Sequence, residues 1–292
     1  FWTGPILDRP DEFRKAPVSM AGPGGERLRF GPEVAYAWVG KARDVATFTN
    51  YRVQPDEDPG KYRFTEQTPS SARLEMRGNL VDYRTRKATR FSVERTVLET
   101  PPPLELEGLD YVGYQTQHRI ELLSQSATIG LWHLIQFPPK TTLIVPTRRK
   151  VEPLQYFNRG DWKARADHVS WTFCGEGSAK MGLSARDLTG RMGAIRKLES
   201  GRWALVVRQF PLMNGLYYAD APAEKLAGDQ VVQAWDGVGF GEMEYHSPAV
   251  GRRTGMRVWQ EAALLWAFGG SAAKIRAVAA ELLGVEIRPL MK

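Results

Sequence analysis

Between residues 72 and 267 apolar and polar side chains alternate in run after run, and prolines close several of the runs. A period of two puts neighbouring side chains on opposite faces of an extended backbone. The pattern therefore commits this stretch to half-buried strands. Residues 72–78 and 90–99 are two such runs. Pro101, Pro102 and Pro103 end the second, because proline has no N–H to give to a ladder. Residues 111–123 and 129–137 follow, separated by Ser124, Gln125 and Ser126. Pro138 and Pro139 close that pair, and 141–145 is a short β-branched strand. Further strands are expected at 168–173, 203–210, 230–235, 241–246 and 256–267. Only 271–284 reads as a helix: Ser271 suits an N-cap, Ile275, Val278, Ala279, Leu282 and Leu283 share one face, and Gly284 supplies the stop. A shorter helical turn is expected from Asp220, with Pro222 at an early position. The fold class this predicts is all-β, a large antiparallel sandwich with a short C-terminal helix.

The length of 292 residues allows two domains, but a large sandwich fills it as one, and a single domain over 1–292 is expected. Apolar residues at 42% and charged residues at 25% exclude general disorder. Nine Trp beside 28 Gly and 19 Pro suggest many turns and an aromatic-lined face. Cys174 is the only cysteine, which excludes an internal disulfide and a cysteine zinc site. The most apolar long stretch, 262–285, is broken by Lys274, Arg276 and Glu281, so no membrane partner is expected. The formal charge of +7 favours anionic partners weakly. The basic groups Arg84, Arg86, Lys87 and Arg90, and Arg148, Arg149 and Lys150, read as solvated strand edges rather than a nucleic-acid stripe. The chain opens on Phe1 without a signal-peptide pattern, which reads as a processed or truncated start and leaves the compartment open.

The most informative stretch for chemistry is 240–249. On an extended strand Glu242, Glu244 and His246 point one way, and Met243 and Tyr245 the other. Two neighbouring carboxylates repel, which raises the pKa of one and poises it for proton transfer near neutrality. The competing reading is a solvated sheet face with a lone histidine. His133 shares a face with Leu131 and Ile135, and Trp132 shares the other with Leu134 and Gln136. A histidine among apolar neighbours is more often a satisfied core residue than a catalyst, although an indole beside it would suit a sugar ring. Arg95 lies in phase with Phe91, Val93 and Val97 and reads as structural, paired inside the sandwich with a carboxylate such as Glu121. Gln117 and Arg119 share a face suited to a cleft, with His118 on the opposite one. Gly24 and Gly25 ahead of Arg27 and Leu28 read as a surface turn, without the residues of a phosphate loop. The four histidines have no close pair at metal-ligand spacing, so no metal is expected. No Gly-x-Ser-x-Gly elbow is present.

The order of these motifs resembles the galactose mutarotase-like (aldose 1-epimerase-like) superfamily, nearest an uncharacterised bacterial branch of it. The resemblance rests on Gly24-Gly25-x-Arg27-Leu28 with Pro32-Glu33, on 91–95, on 131–136, on 241–248 and on Trp266 before the helix. It spans roughly residues 22–270. It implies a β-supersandwich with a carbohydrate site and no cofactor. It also implies further strands ahead of the Gly-Gly turn, more than residues 1–22 would supply. Carried over by position, Glu244 or Glu242 would be the base that takes the anomeric proton, and His133 the acid at the ring oxygen. Arg27, Trp132, His246 and Arg119 would contact the sugar. The aromatic and Asn expected after the family's histidine are absent, because Leu134 follows His133. The implied function is a carbohydrate-active enzyme, with a non-catalytic carbohydrate-binding protein as the alternative and an anionic glycan compatible with the charge.

Overall fold

The computed structural model describes residues 25–40, 47–105, 107–124, 127–220 and 228–291. The first strands are β1 (Gly25–Gly31), β2 (Arg63–Gln67), β3 (Ser71–Val81), β4 (Ala88–Glu99), β5 (Asp110–Leu122) and β6 (Thr128–Phe137). Then come β7 (Thr142–Pro146), β8 (Leu154–Gln155), β9 (Lys163–Ala164), β10 (His168–Thr172), β11 (Ser178–Ser184) and β12 (Arg191–Lys197). The last are β13 (Trp203–Gln209), β14 (Gln230–Gly237), β15 (Phe240–His246), β16 (Val250–Gly251) and β17 (Val258–Gly270). Two α-helices accompany them, α1 (Glu33–Tyr36) and α2 (Ala272–Leu283). The strands form two antiparallel sheets. One has seven strands, in the order β1-β6-β15-β14-β11-β8 with β16 beside β6. The other has ten, in the order β2-β3-β4-β5-β17-β13-β12-β7-β10-β9. The architecture is the all-β sandwich with a short C-terminal helix that the alternation predicts.

Helix α2 follows its sequence signals closely. The Ser271 side chain accepts a hydrogen bond from the Lys274 N–H, and Gly284 takes φ 68°, a left-handed conformation that costs glycine nothing. Its apolar face lies on the outside of the ten-stranded sheet, against Trp203, Leu205, Val207, Trp266 and Phe268. Among the described residues no helix is long and apolar enough to cross a membrane. The turn expected at Asp220 and Pro222 runs into residues 221–227, outside the described residues.

Several strands were not foreseen. The stretch 24–28 reads in the sequence as a surface turn, but Gly25–Gly31 form β1, because Leu28 and Phe30 bury inward while Arg27 and Arg29 take the other face. Strands β11 and β12 escaped notice because Ala, Gly and Ser carry little strand preference.

Two apolar clusters fill the space between the sheets. One gathers Ile135, Phe137, Met181, Val206, Met243 and Leu265, the other Phe30, Phe91, Val93, Ile120 and Leu131. A polar layer divides them. Within it Arg95 donates to Glu26 at 3.3 Å, Tyr114 donates to the same carboxylate at 2.5 Å, and Arg208 is a third partner. The partner of Arg95 is therefore Glu26 across the sandwich. Glu121 lies on the opposite face of its sheet and pairs with Arg119. Burial would raise the Glu26 pKa, but Arg208, Arg95 and Tyr114 reverse this and bring it down to about 2.

In the second cluster Phe91 lies across Gly78, its partner on β3, where a Cβ would sit 2.5 Å from the ring. Gly78→Ala should destabilise the fold by about 1–3 kcal/mol through overpacking. Urea unfolding should show a lower midpoint at unchanged slope.

Candidate functional site

Strand β6 has both faces covered, and its alternation sends adjacent residues into two separate environments. His133 points between the sheets, and Trp132 and Gln136 point outward. Register carries the outward set across the seven-stranded sheet: Arg27 and Arg29 on β1, Trp132 and Gln136 on β6, Glu242, Glu244 and His246 on β15, Trp235 on β14, Lys180 on β11. An outer sheet face in a sandwich is ordinarily solvated. This one is buried, with Glu244 0%, Lys180 2% and Glu242 7% exposed.

The cover comes from α1 and the segment behind it, with Phe48, Tyr51, Glu57 and Asp58, and from Phe157. The Glu33 N–H at the start of α1 donates to Asp220 at 2.8 Å. Arg27 donates to Asp58 at 2.7 Å, and Arg29 donates to Asp58 at 3.2 Å and to the Tyr51 hydroxyl at 2.9 Å. These bonds tie the cover to the sheet.

At the centre, the Lys180 ammonium lies 3.1 Å from Glu244 and 3.4 Å from Glu33. It sits 4.8 Å above the Trp132 ring, whose indole N–H donates to Glu244 at 2.8 Å. His246 stacks on Trp132 at 5.8 Å, with its Nε2 3.7 Å from Glu244. Glu242 accepts from Gln136 at 3.0 Å and has no ion pair among the described residues.

These partners drive the two carboxyls apart. Burial pushes the Glu242 pKa up, the Glu244 charge adds to it, and the result is about 7. Burial would raise Glu244 too, but Lys180 and His246 hold it below the ordinary carboxylate value. For Lys180 burial works against the charge, yet Glu244, Glu33, Asp220 and Glu242 keep it above the ordinary amine value. The site thus has one carboxyl that exchanges its proton near neutrality beside one that stays ionised.

Above these groups is a slot of about 30 Å³, lined by Arg29, Glu33, Lys180, Glu242 and the rings of Phe48, Tyr51, Phe157, Trp235 and Phe240. Trp235 stands 5.9 Å from Phe48 and 4.9 Å from Phe240. Of the residues expected from the sequence, Glu242, Glu244, His246, Trp132 and Arg27 share this outer face. His133 does not join them, because one step along β6 reverses the side chain. Arg119 lies on the outer face of the other sheet, paired with Glu94 and Glu121. Arg29, Tyr51 and Lys180 complete the site without a signal singled out in the sequence, and so does Glu33, which the sequence offers only as part of the Pro32-Glu33 motif and without a site role. The Arg27–Arg29 spacing signals a shared face, and Lys180 is a lone charge among Ala179, Met181 and Leu183.

On the inner face His133 shares a proton with Glu261 Oε1 at 2.8 Å, and Tyr245 and Trp259 donate to the same carboxyl at 3.1 and 2.9 Å. His118 approaches His133 edge-on, with ring centroids 4.6 Å apart. Among the described residues these three, His118, His133 and Glu261, are the one group with donors close enough to hold a metal.

Fold and site together define an antiparallel β-sandwich with a buried acid–base face on its smaller sheet. The chain belongs to the family of unknown function DUF6786, whose model matches residues 12–292. No curated protein matches it. Among solved structures it is similar to the Slr1438 protein from Synechocystis sp. PCC 6803, with 12% identity, a TM-score of 0.41, and 84% of this chain and 78% of that chain covered. It is also similar to the GalM/aldose epimerase homologue from C. elegans, with 9% identity, a TM-score of 0.42, and 89% and 86% covered.

Removing the central cation tests the arrangement. Lys180→Met leaves Glu244 and Glu33 buried without a counter-charge and should cost about 3–5 kcal/mol. Glu242→Gln removes a carboxyl that has no ion pair and should cost far less. Denaturant melts of the two variants check the contrast.

Proposed function

We propose that the buried outer face is a carbohydrate site of the aldose 1-epimerase-like kind, with Glu242 as its base. The observation that carries this reading is the split between the paired carboxyls, with Glu242 raised to about 7 on the wall of an aromatic slot. A base matched to neutral pH is what proton abstraction from an anomeric hydroxyl requires. Aromatic walls suit the apolar C–H faces of a sugar ring.

Glu242 takes the anomeric hydroxyl proton as the C1–O5 bond breaks and an aldehyde forms. Lys180, on the same slot, gives a proton to the ring oxygen that leaves. Rotation about C1–C2 and the reverse transfers close the ring to the other anomer and restore both groups. The acid role falls to Lys180, because His133 faces the other side of β6. Trp132 acts from beneath, fixing Lys180 and Glu244. Arg27 and Arg29 fix the cover through Asp58, and His246 packs against Trp132.

Two carboxyls and two cations line the slot, Glu33 and Glu242 with Arg29 and Lys180, and Glu244 and Asp58 lie behind them as partners of those cations. The +7 charge of the whole chain therefore does not extend to this face, and a neutral sugar fits it better than an anionic glycan. The slot volume of about 30 Å³ equals one water's share of the liquid, so a sugar enters only as Phe48 withdraws from Trp235. The second reading, a non-catalytic carbohydrate-binding protein, draws on the same aromatic walls.

Anomer exchange of several neutral aldoses, followed by NMR, tests the proposal. Exchange above the buffer rate is expected, rising with pH through about 7 as Glu242 ionises and level beyond it. Glu242→Gln should lose about 10²-fold or more. Sugar binding with exchange no faster than buffer would favour the binding protein. Neither binding nor exchange with any aldose would end the carbohydrate reading.

A further inference from the structure

We infer that His118, His133 and Glu261 form a binding site for one divalent first-row metal ion in the interior of the sandwich, separate from the acid–base face. The donors come from three strands in both sheets: His118 on β5 and Glu261 on β17, directly paired, and His133 on β6 opposite them. One ligand atom of each lies within 4.8 Å of the others. All three are buried, His118 at 2%, His133 at 1% and Glu261 at 9% exposure.

The groups are unusual for a purely structural cluster. Both ring nitrogens of His118 and Nδ1 of His133 are buried without a hydrogen-bond partner. Buried polar atoms ordinarily have one, and a buried imidazole with neither nitrogen partnered, standing within ligand distance of a second imidazole and a carboxylate, points to a ligand. Glu261 has Tyr245, Trp259 and His133 around it and no Lys or Arg ion pair among the described residues. A metal ion would supply the missing positive charge.

The surroundings are those of a held ligand set. Tyr245 and Trp259 each donate to one oxygen of Glu261, and Tyr245 stacks flat on His133 at 4.1 Å. Outer partners of this kind orient a ligand carboxylate and fix an imidazole plane. Burial and nearby positive charge keep both imidazoles neutral, with lone pairs available. Two imidazoles and one carboxylate suit Zn²⁺, Fe²⁺ or Co²⁺ rather than the all-oxygen shells of Mg²⁺ or Ca²⁺. On binding, the proton shared by His133 and Glu261 leaves to solvent, and the ion takes its place between the two atoms.

The charged groups of the same layer are Arg95, Arg208 and Glu26. Both guanidiniums are engaged on Glu26. They oppose a further cation, so the site should be weaker than a closed four-ligand zinc site.

The test uses the full chain, stripped with chelator and titrated with Co²⁺ and Zn²⁺. One ion per chain is expected, with a Co²⁺ ligand-field band and a higher thermal midpoint through linkage. His118→Phe keeps the ring edge against His133 and removes the donor, and should weaken binding about tenfold or more. Equal stoichiometry and affinity in the two proteins, or no ion held by the wild type, would overturn the site. Imidazole NMR of the wild type gives an independent readout that needs no variant. Zn²⁺ should shift the resonances of His118 and His133, and shifts confined to His168 or His246 would likewise overturn it. Neither result depends on whether the outer face turns over a sugar.

Discussion

A charged side chain buried on a sheet face persists only with its counter-charge in place, and Lys180 is the case on which this structure depends. Its ammonium joins Glu244 on the sheet to Glu33 on the cover, above the Trp132 ring. Taking these charges out of water is costly, and each is tolerable only because the others are there. That mutual dependence holds α1 over the seven-stranded sheet. It also leaves Glu242, two residues before Glu244 on the same face and without an ion pair among the described residues, as a carboxyl whose proton is loose near neutrality. Structure and chemistry on this face come from one arrangement of charge.

Strand alternation does the rest of the sorting. Trp132 and His133 are adjacent in sequence and belong to different clusters, one on the outer face and one between the sheets. The same step separates Tyr245 from Glu244 and His246. This sandwich has two polar layers, one on each face of the seven-stranded sheet, separated by the sheet itself. The inner layer divides the core into two apolar clusters, and Glu26, shared by Arg95, Arg208 and Tyr114, holds the sheets together at its edge.

Much of this was legible in the sequence. Period-two runs locate most long strands, and Ser271 and Gly284 bound helix α2. The 242, 244, 246 spacing alone places two acids and a histidine on one face of a strand. Alternation alone also set His133 opposite Trp132, which conflicted with the family resemblance that assigned both to one site, and the local geometry prevailed. Lys180 and Glu33 were out of reach, because they meet Glu244 only through the register of β15, β14 and β11 and through the docking of α1. The pairing of Arg95 was misjudged for the same reason: its carboxylate comes from a strand nearly 70 residues away in the other sheet. Long-range charge pairing leaves no local pattern to read.

The central claim is that burial and Lys180 drive the two neighbouring glutamates to opposite protonation behaviour. Carboxyl ¹³C NMR of the folded chain across a pH titration reads this directly. Glu242 should titrate near pH 7, with Glu244 staying ionised below the ordinary carboxylate range. Both glutamates titrating together at ordinary carboxylate values would contradict the account.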